Sequence, residues 1–336
     1  MVSRRRWRVR ALLLSAAAGM IVLPVVAAAT PAPSSAFEAT SSVPADPVIA
    51  AAGDIACDPA SPYFNGGIGT SLGCHEMATS DLLTGGGLSA VLALGDTQYW
   101  CGGTAAYQQS YDPTWGRVLP LTHPVPGNHE YKKAGNTPTG TDCAATHKAP
   151  GYFSTFGAAA GTIGQGWYSF DIGTWHLIAL NAECRYVGGC GPGSAQEVWL
   201  QQDLAAHPTQ CTIAFWHQPR FTSGGVGNDA TYATFWTDLY AGGADIVLNG
   251  HVHNYERFAP QTPAQVADPN GIREFVVGTG GVASQPFGST IQPNSEVRKR
   301  NIYGVLELTL HATGYDWQFV PMAGSTFADS GSDTCH

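Results

Sequence analysis

The sequence "GHVHNYER" at residues 250–257 places two histidines, His251 and His253, one residue apart after an apolar run. The run itself, "ADIVLNGH" at 244–251, is typical of a buried strand that breaks at its glycine. Because alternate side chains of an extended backbone point to the same side, both imidazoles are predicted to face one point. A lone histidine after a strand is usually a hydrogen-bonded structural residue, so the interpretation depends on what else reaches this edge.

From residue 47 onward, short apolar runs alternate with helix-like segments, and each run ends in glycine or a polar cluster. This pattern predicts a single α/β domain whose sheet strands are partly parallel. Alternating residues on both sides of Ile172-Gly173 predict an antiparallel hairpin. The main predicted strands are "PVIAAAGD" (47–54), "SAVLALGD" (89–96), "VLPLTHPVPGNHE" (118–130), "CTIAFWH" (211–217) and "ADIVLNGH", and the predicted helices are "GCHEMATSDLL" (73–83), "SAQEVWLQQDLAAH" (194–207) and "ATYATFWTDLYAGG" (230–243).

The start of the chain has the basic, apolar, small-residue order of a secretory signal peptide. Five arginines lie among the first ten residues, and a mostly apolar stretch follows from Ala11 to Ala29. We expect residues 1–36 to be a signal peptide, with cleavage after Ala29 or Ala36, and residues 37–336 to be the mature domain. A retained membrane anchor is the alternative, and the arginine pair also permits twin-arginine export.

Charge and cysteine content restrict the partners and the compartment. Removal of the leader takes five of the 16 lysines and arginines and none of the 25 acidic residues, which leaves a net charge of about −14. Such a chain is predicted to have no nucleic-acid-binding surface and no affinity for acidic membranes after cleavage. Eight cysteines follow the leader and favour an oxidising, extracellular location. The sequence does not define the oligomeric state.

The cysteines are predicted to form disulfides rather than a metal site, because no C-x-x-C spacing occurs. Cys184 and Cys190, in the glycine-rich "CRYVGGC", are the best local pair. The other expected pairs are Cys57 with Cys74, Cys101 with Cys143, and Cys211 with Cys335.

Each of the five main predicted strands ends in a residue type that binds metal ions. In open α/β sheets, ligands bind beyond the carboxyl ends of the strands, so positions far apart in sequence can converge there. A set of carboxylates, imidazoles and one carboxamide suits a dinuclear site for borderline or hard cations rather than a thiolate zinc site. The candidates are Asp54, Asp96, Asn128, His129, His217, His251 and His253.

These motifs, in this order, resemble those of the calcineurin-like metallophosphoesterases, and most closely those of the purple acid phosphatases. The resemblance implies a two-sheet α/β/β/α sandwich with a dinuclear metal site at the carboxyl ends of the strands, and a catalytic domain at 37–336. The first motif follows the leader closely, so we expect a compact bacterial-type member without the N-terminal β-sandwich of the plant enzymes. The motifs are "GD" (53–54), "GDTQY" (95–99), "GNHE" (127–130), "FWHQP" (215–219) and "GHVHNYER".

The resemblance also implies the ligands of two metal ions. Many relatives have a histidine at the position of Ala56, which cannot bind metal, whereas Tyr99 lies where purple acid phosphatases have a phenolate that favours trivalent iron. An aromatic wall without a metal bond is the alternative for Tyr99. The implied sets are Fe(III) held by Asp54, Asp96, Tyr99 and His253, and Zn, Mn or Fe(II) held by Asp96, Asn128, His217 and His251, with Asp96 bridging.

The implied activity is hydrolysis of phosphomonoesters by a metal-activated hydroxide. His129 resembles the family histidine that contacts the phosphate and protonates the leaving alcohol, and a purely structural histidine is its alternative. Further substrate histidines of the purple acid phosphatases are absent between His217 and His251, where the chain has Gln218 and Arg220. Asn128, His129 and Arg220 are therefore the candidate substrate contacts. A phosphodiesterase or nucleotidase with the same centre, and a non-catalytic secreted binding module, are the alternative functions.

Charged residues near the motifs are predicted to have supporting roles. Glu130, Tyr255, Glu256 and Arg257 are expected to orient ligands or hold loops rather than contact substrate. The loop after "GNHE" carries Lys132, Lys133, His147 and Lys148, which are interpreted as solvated surface charge, with contact to an anionic substrate as the alternative.

Overall fold

Two mixed β-sheets form the framework of the computed structural model, which describes residues 45–135, 142–208 and 211–336. The predicted signal peptide lies outside these residues. The six-stranded sheet has the order β13-β12-β11-β1-β2-β3, in which β1, β2 and β3 are parallel. Its strands are β1 (Val48–Ala52), β2 (Leu88–Leu94), β3 (Thr122–Val125), β11 (Gly304–His311), β12 (Gly314–Pro321) and β13 (Ser330–Thr334).

The seven-stranded sheet has the order β10-β8-β9-β7-β6-β5-β4, and its four central strands, β5, β6, β7 and β9, are parallel. The predicted hairpin is confirmed, because β4 and β5 pair in antiparallel register with Ile172 opposite Trp175. The strands are β4 (Tyr168–Ile172), β5 (Trp175–Ala179), β6 (Cys211–Phe215), β7 (Ile246–Asn249), β8 (Tyr255–Phe258), β9 (Arg273–Val277) and β10 (Ser295–Lys299).

Alternation along the strands of the second sheet divides its side chains between two cores. In β6, Ile213 and Phe215 pack in the main core with residues of the first sheet, whereas Ala214 packs in a second core with the helices. The same alternation occurs in β7, where Leu248 and Val247 face opposite sides. A period of two side chains is what an extended strand buried on both faces requires.

Five α-helices accompany the sheets in the described part of the chain. The second core contains Leu200 from one helix and Phe235, Trp236 and Leu239 from another, so these two helices cover the outer face of the seven-stranded sheet. The expected α/β sandwich of two sheets with helices is confirmed. The helices are α1 (Glu76–Asp81), α2 (Thr104–Ala106), α3 (Pro150–Phe156), α4 (Ala195–Ala206) and α5 (Ala233–Ala241). A π-helical segment spans Tyr107–Tyr111, and 3-10 segments span Asn65–Gly67, Trp115–Leu121, Gly157–Ala160 and Ala230–Tyr232.

All four expected disulfides are present. Cys57–Cys74, Cys101–Cys143, Cys184–Cys190 and Cys211–Cys335 have Cα–Cα distances of 5.1 to 5.4 Å. Within the described residues, no helix has both the length and the apolar character that a membrane span requires.

Candidate metal centre

The carboxyl ends of strands from both sheets meet at one edge of the sandwich. Asp54 and Asp96 follow β1 and β2 of the first sheet, and His217 and His251 follow β6 and β7 of the second. Three of these residues turn the chain sharply, because the φ angles of Asp54, Asp96 and His251 are +60°, +47° and +67°. Such left-handed backbone is costly for residues other than glycine and often occurs at functional sites.

Close backbone approach explains the glycine before Asn128. A Cβ atom on Gly127 would lie 2.2 Å from Asp96 Oδ1 and 2.8 Å from His217 Cδ2, so no other residue fits without displacing the site.

The first group of the site joins Asp54, Tyr99 and His253. The Tyr99 hydroxyl lies 2.8 Å from Asp54 Oδ1, 2.9 Å from Asp96 Oδ2 and 3.0 Å from His253 Nε2. The His253 Nε2 atom is 3.2 Å from Asp54 Oδ1. Four side chains predicted to hold one metal ion are thus within a few ångströms of one another.

The second group joins Asp96, His217 and His251. His217 Nε2 is 3.2 Å from Asp96 Oδ2 and 3.3 Å from His251 Nδ1. One potential ligand atom from each of the three side chains lies within 4.8 Å of the other two. Asp96 contacts members of both groups, as a bridging carboxylate would.

Backbone carbonyls fix how two of the histidines present their rings. His217 Nδ1 is 2.8 Å from the carbonyl oxygen of Leu94, and His253 Nδ1 is 2.8 Å from that of Ala283. Because a carbonyl only accepts, each Nδ1 carries the hydrogen and donates. Each Nε2 therefore faces a carboxylate, an arrangement that a proton or a metal cation between the two groups stabilises.

Asn128 and His129 complete the inner wall. Asn128 Oδ1 is buried and has no hydrogen-bond partner among the described residues, which is the expected condition of a ligand atom. His129 Nδ1 lies 2.7 Å from the Trp100 carbonyl oxygen, to which it donates, and Lys132 Nζ lies 2.6 Å from Nε2, to which it donates. The Lys132 ammonium thus contacts the predicted catalytic histidine and is more than solvated surface charge.

Burial and mutual charge shift the site's pKa values. Burial alone would raise the pKa of Asp96, but His217 and His129 outweigh it and lower this pKa well below its usual value. Burial would lower the pKa of His217, and the Asp96 carboxylate reverses this and raises it to about 10. The same negative field that strengthens proton binding at Nε2 attracts a metal cation there. Burial lowers the pKa of His129 to about 4.

Glu130 holds two loops of the site together through backbone hydrogen bonds. Its carboxylate accepts hydrogen bonds from the backbone N–H groups of Thr97 and Gly127, each at 2.7 Å, and of Asp96 at 3.1 Å. It therefore binds the loop after β2 to the loop after β3. Such a positioning role was expected for Glu130.

Tyr255, Glu256 and Arg257 also hold loops, as expected. Tyr255 and Arg257 donate to Asp329, and Glu256 accepts from Ser223 N at 2.8 Å. The carbonyl of Ala283 was missed as a site group, although the glycine-rich segment "GTGG" at 278–281 could have indicated a close approach there.

A cavity of about 480 Å³ lies against the site, and Asp96, Tyr99, Asn128, His129, His251 and His253 form its inner end. Arg220, one of the candidate substrate contacts, does not line this cavity, and its guanidinium carbon lies 4.5 Å from the ring centre of Phe221. Gln218 Nε2 donates to Glu183 Oε1 at 2.5 Å. Neither residue lines the cavity, so the structure does not support Arg220 as a substrate contact.

The family model for calcineurin-like phosphoesterases matches residues 48–255 of the chain. The chain belongs to this family. The matched region includes all seven predicted metal ligands, from Asp54 to His253, and confirms the resemblance that the motifs indicated. Calcineurin-like phosphoesterases depend on a dinuclear metal centre, and the structure holds suitable ligand groups at the corresponding place.

Curated relatives include purple acid phosphatases. Purple acid phosphatase 15 of Arabidopsis thaliana is 31% identical over 195 residues, which are 52% of this chain and 33% of that protein. Acid phosphatase A of Cryphonectria parasitica is 30% identical over 127 residues, 32% of this chain and 25% of that protein. This calcineurin-like phosphoesterase chain thus spans about a third or less of either relative's length.

Solved structures share the fold. The purple acid phosphatase PPD1 from yellow lupin seeds matches 86% of this chain and 53% of its own, with a TM-score of 0.64 and 19% identity. GAP50, described as the anchor in the inner membrane complex of Plasmodium, matches 87% of this chain and 90% of its own, with a TM-score of 0.58 and 13% identity. At these identities the likeness shows the fold alone.

Proposed function

We propose that the protein is a secreted phosphohydrolase with two metal ions that cleaves phosphomonoesters. The orientation of His217 and His253 carries the proposal, because backbone carbonyls turn both Nε2 lone pairs toward carboxylates. Family membership supports phosphoester hydrolysis. Four disulfides are compatible with secretion, and we propose residues 1–36 as its signal peptide and 37–336 as the catalytic domain.

The ligand sets that we propose are those implied by the motifs: Asp54, Asp96, Tyr99 and His253 for Fe(III), and Asp96, Asn128, His217 and His251 for Zn, Mn or Fe(II). When bound, two such ions attract phosphoryl oxygens, lower the pKa of a water molecule and stabilise the charge of an in-line displacement. The buried, unpartnered Asn128 Oδ1 and the two fixed imidazoles fit this requirement.

His129 is the proposed acid that protonates the leaving alcohol. Its Nδ1 donates to the Trp100 carbonyl, so Nε2, which accepts from Lys132 Nζ, is the ring atom left to exchange a proton. Burial lowers its pKa to about 4, but a phosphate dianion beside the ring would raise this pKa by favouring the imidazolium. Asn128 and His129 both line the cavity and are the proposed substrate contacts.

Phosphodiesters and nucleotides are the nearest alternative substrates, because the same centre can serve both ester classes. A non-catalytic binding module on the same fold is the alternative of another class. Retention of all seven candidate ligands argues against it, because such a module would not need them.

Two variants separate metal binding from acid catalysis. Asp96→Asn is expected to lose metal and activity together, since Asp96 contacts both ligand groups. His129→Ala is expected to keep its metals and to lose about 10²- to 10⁴-fold in kcat with para-nitrophenyl phosphate. Elemental analysis and initial rates measure both effects, and equal metal loss in the two variants would contradict the role of His129.

Comparison of the rates with para-nitrophenyl phosphate and bis-para-nitrophenyl phosphate distinguishes a monoesterase from a diesterase.

The visible spectrum tests the iron assignment. Burial, together with the Asp54 and Asp96 carboxylates, raises the pKa of Tyr99 well above its usual value, so only a strongly polarising cation makes it a phenolate. We expect a tyrosinate-to-Fe(III) charge-transfer band that disappears in Tyr99→Phe. A colourless, iron-free and fully active wild-type enzyme would refute the assignment.

A further inference from the structure

The cavity beside the proposed metal centre has an outer wall of apolar side chains. Tyr63, Trp100 and Val226 line it and are 40%, 39% and 60% exposed. Ile68 and Leu72, at 66% and 57%, are exposed on the same loop as Tyr63. Exposed apolar side chains that line one cavity, as Tyr63, Trp100 and Val226 do, indicate a binding site.

The wall is held in place from several sides. The disulfide Cys57–Cys74 closes the loop that carries Tyr63, and both cysteines pack with Tyr99 in one small apolar cluster. Asp58 accepts from Ala60 N at 2.7 Å through Oδ1 and from Trp100 N at 3.2 Å through Oδ2. The Trp100 backbone is thus tied to the start of the loop. A pocket built this way is largely formed before a ligand enters.

Trp100 joins the apolar wall to the reacting end of the cavity. Its ring is stacked on that of His129, with ring centres 5.1 Å apart and planes 25° apart. Trp100 remains 39% exposed, so part of the indole is available to a ligand. A group attached to a phosphate near His129 would therefore meet the Trp100 ring, and flat apolar groups gain most from such contact.

Among the described residues, the cavity wall has no cationic side chain outside the metal centre to pair with a second anionic group. None of the residues that line it in the described part of the chain is lysine or arginine. Its one carboxylate outside the metal centre, Asp58, is engaged by backbone N–H groups. Lys132 contacts His129, and its Nζ lies 5.2 Å from the centre of the Trp100 ring, but Lys132 does not line the cavity. A leaving group with further phosphates would lose hydration there without gaining a counter-charge.

We propose that this wall binds the alcohol part of the substrate, and that the preferred substrates are phosphomonoesters of aromatic alcohols rather than esters whose leaving group carries further phosphates. The proposal rests on the phosphomonoesterase function proposed above. Hydrolysis breaks the bond between phosphorus and the ester oxygen, water supplies the new oxygen on phosphorus, and the aromatic alcohol leaves with a proton.

The test compares benzyl phosphate with n-propyl phosphate, because both release an alkyl alcohol and differ mainly in the ring. For the metal-loaded, full-length enzyme we expect kcat/KM to be about tenfold higher for benzyl phosphate. Trp100→Ala and Tyr63→Ala should each reduce this ratio about threefold or more, and Trp100→Phe should largely restore it. Ile163→Ala removes an exposed apolar side chain that does not line the cavity and should leave the ratio unchanged.

Tyr63→Ala keeps the test valid if Trp100→Ala disturbs His129, since no hydrogen bond links the Tyr63 side chain to that residue among the described contacts. Equal kcat/KM for the two esters, or a ratio unchanged in both alanine variants, overturns the proposal. A higher kcat/KM for a nucleoside triphosphate than for benzyl phosphate also overturns it. Absence of hydrolysis of every ester by the metal-loaded enzyme would instead refute the proposed function.

Discussion

Glu76, at the first position of α1, is a fully buried carboxylate outside the metal centre. Neither carboxylate oxygen has a hydrogen-bond partner of good geometry among the described residues. Burial raises the pKa of Glu76 to about 8, and nearby backbone N–H groups of Glu76 and Cys57 offset this only in part. The folded protein therefore binds this proton more tightly than the unfolded chain does.

This raised pKa predicts a loss of stability with rising pH. The stabilisation is fully present below the unfolded pKa of about 4.5 and is lost as pH rises through about 8. Between pH 5 and pH 8, the wild-type protein should lose about 3 kcal/mol of unfolding free energy through Glu76. The Glu76→Gln variant should not show this loss. Denaturant unfolding at both pH values measures it. Glu197→Gln, a buried glutamate in α4, is the control, and parallel wild-type and Glu76→Gln curves would disprove the prediction.

At the level of single residues, the sequence indicated the side chains of the centre but not what aims them. His217 and His253 were found because each follows an apolar run or a paired motif. Their hydrogen-bond partners are the carbonyls of Leu94 and Ala283, 123 and 30 residues away in sequence. Every residue has a carbonyl, so no residue type signals this role, and only the folded chain reveals it.

At the level of elements, Glu130 connects the loops that follow β2 and β3 through three short backbone hydrogen bonds. Glu130→Gln should weaken metal affinity about 10- to 100-fold, because its amide would place N–H groups against backbone donors and release the loop that carries Asp96. Metal titration of the depleted protein checks this. Glu197→Gln should keep wild-type affinity, and a Glu130→Gln protein that binds metal as tightly as wild type would show that the two loops do not need this link.

Elements with apolar patterns were predicted and polar edge elements were not. Strands β1, β2, β6 and β7 overlap the predicted runs, and each ends two residues before the predicted end. The strands β10 ("SEVRK") and β13 ("SGSDT") lie at sheet edges and have no apolar alternation, so their extended form comes from pairing with β8 and β12. The predicted strand at 118–130 was too long: its first residues, with Pro120, belong to a 3-10 segment, Trp115–Leu121, and β3 covers only Thr122–Val125.

At the level of the whole molecule, the centre lies where two sheets meet. The carboxylates and Asn128 follow strands of the six-stranded sheet, and the three histidines His217, His251 and His253 follow strands of the seven-stranded sheet. The sequence predicted convergence at strand ends, whereas the division between two sheets was implied only by the family resemblance. Strand pairing over long sequence separations leaves no local signal in the chain.

The metal content of the purified protein tests the central claim most directly. The account predicts about two metal ions per chain by elemental analysis, one of them iron, with phosphomonoesterase activity that is lost on chelation and returns when metal is restored. A folded, metal-free protein that hydrolyses para-nitrophenyl phosphate as fast as the metal-loaded protein would contradict the proposed metal-dependent mechanism.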